Sequence, residues 1–251
     1  MLEAGPRHES EATAMTRDTL KTVLRRWIPP AAADLAVAAR WRLDRGWHRQ
    51  RIGGLWDLMG KHQFDFLVAQ GLRPEHRLLD IGCGSLRGGL HFIEYLAPGN
   101  YIGIEKEKRR LDAALRFELS KETLREKRPR LVHMENFDFA ALGVKIDFAL
   151  AQSVFSHVPL NTIIRCVASV DRVLAPGGRF FATFFESKGP RFHLEPFVQR
   201  PGEPPTHFDQ NPFHYSFEIF EWISGETGLR AEYIGDWGHP RGQKMMVFTK
   251  R

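Results

Sequence analysis

Leu78-Leu79-Asp80-Ile81-Gly82-Cys83-Gly84-Ser85-Leu86-Arg87-Gly88-Gly89 is the stretch that decides the fold. An apolar run ends in a carboxylate and two alternating glycines, and an apolar-periodic segment, Leu90 to Leu96, follows. The pattern predicts a buried strand, a tight turn and a helix. Glycines at 82 and 84 let backbone approach a ligand where a Cβ would clash, and the start of the helix leaves N–H groups unpaired. Such a turn is a binding edge for a nucleoside-bearing cofactor, and several cofactors are open at this point.

Working outward, Leu55 to Gln70 has the spacing of an amphipathic helix that Gly71 ends, before the strand into Asp80. Downstream, helices and strands alternate. Tyr101-Ile102-Gly103-Ile104-Glu105 reads as a short strand ending in a carboxylate, and a charged helix over about 108–126 stops before Pro129. Strands follow at Leu131 to Met134 and Ile146 to Ala151, with a loop carrying Asn136 and Asp138 between them. A helix from Leu160 to Leu174 leads through Pro176-Gly177-Gly178 to a strand over Arg179 to Phe185. Residues 186–215, rich in proline and histidine, form an insert too long for a plain connector. A helix over Ser216 to Thr227 precedes two closing strands, Leu229 to Ile234 and Lys244 to Thr249, which read as a hairpin. The expected sheet is mostly parallel with one antiparallel strand.

Upstream, residues 1–15 are polar, small and aperiodic, and are expected to be disordered. Residues 16–54 read as a basic helical extension: a short helix from Asp18 stops at Pro29-Pro30, and Ala31 to Gln50 mixes Leu35, Val37, Trp41 and Leu43 with Arg40, Arg42, Arg45 and Arg49. This segment packs on the main domain or lids its pocket on one reading, and is a membrane-surface or phosphate-binding arm on the other.

Composition narrows the classes further. The 251 residues are 43% hydrophobic and 26% charged with a net charge of +6, ordinary for a soluble chain and only mildly basic. Two cysteines, Cys83 and Cys166, imply no disulfide framework. The N-terminal stretch lacks the apolar core of a secretory signal, and no run is long enough to span a bilayer. The expected location is the cytoplasm, with peripheral contact at a membrane surface through the basic helix as the alternative. The Lys106 to Arg130 charge run reads as a solvated face, and without a recognition motif a nucleic-acid partner is the minor reading.

Three features separate the candidate cofactors. Asp80 stands two residues before the first glycine, where a carboxylate would repel a pyrophosphate and attract a cation. Arg87 stands where G-x-G-x-x-G needs its third glycine, and Gly88 comes one residue late. Glu105 ends the second strand, where it can accept hydrogen bonds from ribose hydroxyls. A nucleoside with a positive, amine-bearing arm and no phosphate fits, and S-adenosylmethionine meets that description.

From roughly Gly60 to Arg251 the chain resembles the class I, Rossmann-like S-adenosylmethionine-dependent methyltransferases. The resemblance rests on Leu78 to Gly84, on Glu105, on Glu135-Asn136-Phe137-Asp138-Phe139, on Asp147 to Ser153 with Val154-Phe155-Ser156-His157, and on Leu174-Ala175-Pro176-Gly177-Gly178. Leu86 departs from a third glycine frequent in that family. The resemblance implies an α/β fold: a seven-stranded, mostly parallel sheet with an antiparallel last strand and helices on both faces. Residues 55–251 would form this domain, with the insert at 186–215.

By the same resemblance Asp80, Gly82, Cys83, Gly84, Glu105, Asp138, Phe139 and Gln152 would bind the cofactor. Gly82, Cys83 and Gly84 would line its methionine and ribose portion, and Asp80 would order the turn and the ammonium side. Asp138, with Asn136 competing, would bond the adenine amino group, and Phe139 would offer a backbone donor or an apolar wall. Gln152 and Ser153 would frame the transferred methyl. A high-pKa acceptor needs a general base, for which His157, Glu186 and His214 are the candidates, with His193 and Tyr215 behind them. No metal is expected, because His193, His207, His214 and His239 lack short ligand spacing. The Phe192, Phe197, Phe208, Phe213 and Tyr215 cluster reads as a pocket wall, a lid or packing beneath the insert. The expected reaction is methyl transfer to a small-molecule acceptor such as a sugar, a lipid-linked compound or a secondary metabolite. The rivals are an NAD(P)-dependent oxidoreductase on a related fold and a non-catalytic cofactor-binding or membrane-associated scaffold.

Overall fold

The computed structural model describes residues 46–189 and 193–251. Two helices, α1 (Trp47–Arg51) and α2 (Trp56–Ala69), precede β1 (Leu78–Ile81) and α3 (Gly89–Tyr95). Next come β2 (Tyr101–Glu105), α4 (Lys108–Ala113), α5 (Lys121–Lys127), β3 (Arg130–His133), β4 (Ile146–Ala151), α6 (Leu160–Val173) and β5 (Leu174–Glu186). The insert holds the short strands β6 (Phe197–Val198), β7 (Pro205–Thr206) and β8 (His214–Tyr215), and α7 (Phe217–Gly225), β9 (Leu229–Asp236) and β10 (Lys244–Lys250) close the chain.

The main sheet runs β3-β2-β1-β4-β5-β10-β9, with β8 paired to the end of β5. Strands β1 to β5 are parallel, and β10 is antiparallel to both β5 and β9. The expected seven-stranded sheet with its antiparallel last strand is therefore present. Strand order reverses at β1, which lies between β2 and β4, and open α/β sheets bind ligands in the crevice at such a switch point.

Period-two alternation builds a core on each face. Ala149, Ala151, Phe180, Ala182, Met246 and Phe248 pack on one side against Ile163 and Val167 of α6 and Phe220 of α7. Phe148, Leu150, Phe181, Met245 and Val247 pack on the other against Met59 and Leu67 of α2 and Phe92 of α3. Within β1 the same alternation sends Leu79 and Ile81 to the α6 side and Leu78 to the α3 side. Asp80 shares parity with Leu78, so its carboxylate points towards α3, a fact that matters below.

Two expectations change. The charged helix over 108–126 is broken: α4 passes into a π-turn (Ala114–Glu118), Leu119 is extended, and α5 restarts after Ser120. The Ser120 hydroxyl caps the new helix by accepting from the Thr123 amide at 2.9 Å, and Glu118 is drawn inward by His48 and Arg49. The Pro176-Gly177-Gly178 turn lies inside a longer β5, as an irregularity with Gly177 at φ +73 and a register shift against β4. No helix among the described residues is long and apolar enough to cross a membrane. The expectations for residues 1–45 fall outside the described residues, so the membrane-arm reading of the basic extension does too.

Candidate active site

The turn after β1 is built as its glycines require. Gly82 and Gly84 adopt φ +70 and +59, conformations that carry a Cβ only under strain. A Cβ on Gly82 would lie 2.7 Å from Val154 Cγ2, so the residue after β4 can close on the turn only because position 82 is glycine. Leu86, where the family often has glycine, keeps a glycine-like φ of +73 with its side chain fully buried. The departure is in the side chain and leaves the path of the backbone alone.

Glu105, 2% exposed, ties the two strand ends together. One carboxylate oxygen accepts from the Gly84 amide at 3.0 Å and the other from the Glu107 amide at 2.9 Å. A carboxylate has about four acceptor sites, so each oxygen retains capacity for a hydroxyl donor. Ser85 Oγ, at the same turn, is buried without a hydrogen-bond partner among the described residues. Positive-φ glycines, a strand-end carboxylate with acceptor capacity and an orphaned hydroxyl make a cradle that fits a nucleoside-bearing ligand.

Asp80 is placed differently from the expectation. It is 4% exposed and accepts a 2.7 Å hydrogen bond from the Tyr101 hydroxyl, which reaches it across Gly89, where a Cβ would lie 2.4 Å from that oxygen. Burial, partly offset by the Tyr101 bond, pushes its carboxyl up to about 6. Cys83 also turns inward, and burial raises its thiol well above the usual range. Both side chains are buried beside the turn, and Asp80 acts through space on Glu105 and Arg87. The cause of the Asp80 placement is strand parity: position 80 belongs to the α3 face.

On the adenine side, Asp138 is exposed, while Asn136 Oδ1 is occupied by the Asp138 amide at 3.3 Å. Phe139 offers neither expected contact, because its ring is wholly buried in the α6-side core and its amide donates to the Phe137 carbonyl at 2.8 Å.

Beyond β4 lies a polar network. Gln152 Oε1 accepts from Arg87 Nη2 at 2.8 Å, and its amide nitrogen donates to Ser153 Oγ at 2.7 Å and lies 3.1 Å from His239 Nε2. Ser153, itself at φ +55, donates its amide to Thr183 Oγ1 at 2.7 Å. Gln243 Oε1 accepts from the Ser153 and Thr183 hydroxyls at 3.0 and 2.7 Å. Arg87 Nη1 donates to the carbonyls of Ile52 and Gly54, at 3.0 and 3.1 Å, and Arg241 Nη2 donates to that of Gly53 at 2.8 Å. The segment 52–54 is thus strapped beside the glycine turn, with Ile52 Cγ2 3.3 Å from where a Cβ on Gly84 would be.

The proposed bases lie on neighbouring segments, with β8 paired to the end of β5 and the Ser156 carbonyl accepting from the Phe213 amide, and each already has a partner. His157 is exposed and its Nδ1 lies 2.6 Å from Asn211 Oδ1 of the insert. Glu186 accepts from the Tyr233 hydroxyl at 2.8 Å. His214 is buried inside the insert between Thr206 Oγ1 and the His193 carbonyl, and burial lowers its pKa. Tyr215 donates to the Val158 carbonyl at 2.8 Å. Phe213 and Tyr215 belong to the core, Phe208 is exposed, and Phe192 lies outside the described residues. Among the described residues no group of three or more His, Cys, Asp or Glu could hold a metal ion.

Sequence reasoning missed Thr183, His239, Arg241 and Gln243 as site residues and counted Arg87 only as a missing glycine. A signal existed: Trp237-Gly238-His239-Pro240-Arg241-Gly242-Gln243 is a polar loop framed by Gly and Pro, joining two strands at the sheet's carboxyl edge.

Residues 79–180 match a family model described as a methyltransferase domain. Among solved structures, the chain is similar to magnesium protoporphyrin IX methyltransferase from Synechocystis PCC 6803 with bound SAH. That match has 15% identity and a TM-score of 0.55, covering 92% of this chain and 100% of the other. It is also similar to an amino pentose methyltransferase from Micromonospora echinaspora (18% identity, TM-score 0.55, 86% and 96% covered). DesVI of Streptomyces venezuelae is a third (19% identity, TM-score 0.56, 83% and 99% covered). These likenesses establish the fold. Residues 79–180 are thus similar to a methyltransferase domain, on a fold that these solved methyltransferases share.

Proposed function

We propose that this protein transfers the methyl group of S-adenosylmethionine to a small-molecule acceptor, bound at the carboxyl edge of β4 and β5 beneath the loop from Trp237 to Gln243. The observation that carries the reading is the Gln152 network. Gln152, Thr183, His239 and Gln243 are all buried, so a group that reaches them must enter a narrow crevice, which suits a small molecule better than a folded macromolecule. Two similar structures are named for small-molecule acceptors, a porphyrin and an amino pentose.

When bound, S-adenosylmethionine supplies a methyl group already activated on a sulfonium. What remains for the protein is to bind, to align and to remove a proton. Glu105 accepts from the ribose hydroxyls while holding the Gly84 amide. Asp138 takes the adenine amino group, and the Gly82 and Gly84 backbone lies along the methionine portion. Asp80 and Cys83 act as positioning residues behind the turn. Arg87 fixes the Gln152 carboxamide, whose orientation sets the polarity of the surface facing the transferred methyl. His157, Glu186 and His214 are held by the insert and by β9, so none is assigned as the base.

Isothermal titration tests this reading. S-adenosylhomocysteine should bind the wild type, and Glu105→Ala should weaken it by about tenfold or more, the loss of one or two charge-assisted hydrogen bonds. Binding of NADPH in place of S-adenosylhomocysteine would overturn it. Label from methyl-labelled cofactor should appear in the small-molecule fraction of cell extracts; label confined to macromolecules, or none at all, would refute the acceptor class.

A further inference from the structure

We propose that the acceptor carries an anionic oxyacid group, a carboxylate or a phosphate, held by Arg87, Arg200 and Arg241 at the crevice wall beside Gln152 and His239. The proposal deepens the methyltransferase reading and rests on an acceptor occupying that crevice.

Three guanidinium groups come together here because the chain folds back on itself. Arg87 follows the glycine turn, Arg200 lies in the insert, and Arg241 sits between β9 and β10. Arg87 and Arg241 hold the successive carbonyls of residues 52, 53 and 54, which puts the two cations side by side. Arg200 donates to the Pro240 carbonyl at 2.9 Å, and its Nε lies 3.0 Å from where a Cβ on Gly242 would be, so it abuts the same loop. Between them is His239, 3% exposed, with Nδ1 3.1 Å from the Arg241 amide. His62 of α2 stacks on Trp237 at 4.5 Å, and its Nε2 is buried without a hydrogen-bond partner among the described residues.

Among the described residues, carboxylates act on this charge from a distance, Asp80 on Arg87 and Asp236 on Arg200, and neither forms a direct ion pair with its arginine. Among the described residues Arg87 makes no direct ion pair, and its three acceptors are neutral carbonyl or amide oxygens. Arg241, among the described residues, has a 3.9 Å approach to Glu203, and Asp236 pairs with Lys244 at 3.6 Å while also acting on Arg200. Asp80 acts on Arg87 through space, but its carboxylate is hydrogen-bonded to Tyr101. Burial, followed by the surrounding Arg87, His62, Arg241 and Arg200, pushes the His239 imidazole down to about 3, so it stays neutral and adds no charge. Burial and Arg241 hold the Arg87 guanidinium down to about 10, still a cation at neutral pH.

Half-buried guanidinium groups whose hydrogen bonds go to neutral acceptors are stabilised when an anion completes the set. Guanidinium is the side chain best shaped for bidentate contact with carboxylate or phosphate, and each has five N–H donors, more than the contacts above use. A positive wall in a low-dielectric cleft also concentrates anions. The acceptor's charged group would dock on the arginines and leave its nucleophilic atom towards Gln152 and the methyl donor.

The test uses the full chain saturated with S-adenosylhomocysteine and follows binding of inorganic phosphate and of acetate by calorimetry, with sodium chloride at matched ionic strength as control. Saturable binding of one anion or the other is expected, phosphate marking a phosphoryl acceptor and acetate a carboxylate. Arg200→Gln and Arg241→Gln should each weaken it about fivefold or more, while Arg200→Gln, which leaves the strap at 52–54 intact, keeps S-adenosylhomocysteine affinity within about twofold. No binding beyond the chloride control, or equal binding by the variants, overturns the proposal. So does a loss of about tenfold in S-adenosylhomocysteine affinity in Arg200→Gln, because that arginine would then serve the donor. If the wild type fails to bind S-adenosylhomocysteine, the methyltransferase reading falls, and anion titration of the ligand-free chain still decides whether the arginines form a site.

Discussion

Replacing Asp80 by asparagine should make this protein's stability less sensitive to pH. In the folded chain, burial against the α3 face raises the Asp80 carboxyl to about 6, against an ordinary 3.8. The native state therefore binds this proton more tightly than the unfolded state does. Between those two values the native state carries the extra proton, so stability falls as pH rises, and the cost is complete above about pH 6. At about 1.4 kcal/mol for each tenfold change in proton affinity, the full cost is about 3 kcal/mol at pH 8 and about half that at pH 5. Asparagine keeps an oxygen for the Tyr101 hydroxyl and removes the titration. Its amide group costs something for lack of a partner, but equally at every pH. Urea unfolding of ligand-free wild type and Asp80→Asn, at steps from pH 5 to pH 8, gives the measurement. The difference between the two should move by about 1.5 kcal/mol in favour of the variant as pH rises. A difference that is flat across the range, or that moves the other way, would refute the inward placement of Asp80.

Gly82→Ala combines a left-handed backbone with a Cβ 2.7 Å from Val154 Cγ2, and should lower stability by about 1–3 kcal/mol. Adding Val154→Ala should recover the steric part of that loss but leave the backbone part, as thermal unfolding of the two variants will show. His157→Ala removes an exposed ring whose contact is Asn211, so methyl transfer, once an acceptor is in hand, should change by less than about threefold. A loss of about a hundredfold or more would restore His157 as the base.

Much of the fold was legible because it depends on local and periodic signals. The strand-turn-helix at Leu78 to Leu96, the amphipathic spacing of α6 and the closing hairpin each satisfy their own rules within a few residues. The break between α4 and α5 was harder to read, because charged residues there carry helical propensity throughout. What stops the helix is the Ser120 cap together with the pull of His48 and Arg49 on Glu118, some 70 residues distant in sequence. Likewise Leu86 looked like a departure from the glycine pattern, yet packing holds it at the φ a glycine would take.

At the site the division is sharper. The glycine turn and the carboxylate at the end of β2 were legible in the sequence alone, because both are encoded by residue type at fixed spacing. The sequence left open which way Asp80 and Cys83 point, since a strand's two faces are told apart only by what packs on each. Nor could it join Arg87, Arg200, His239 and Arg241, which are separated by up to 154 positions (241 − 87). Only the tertiary structure decided that arrangement: charge acts through space, and these side chains become neighbours when β10 turns back between β5 and β9 and carries the preceding loop to the carboxyl edge.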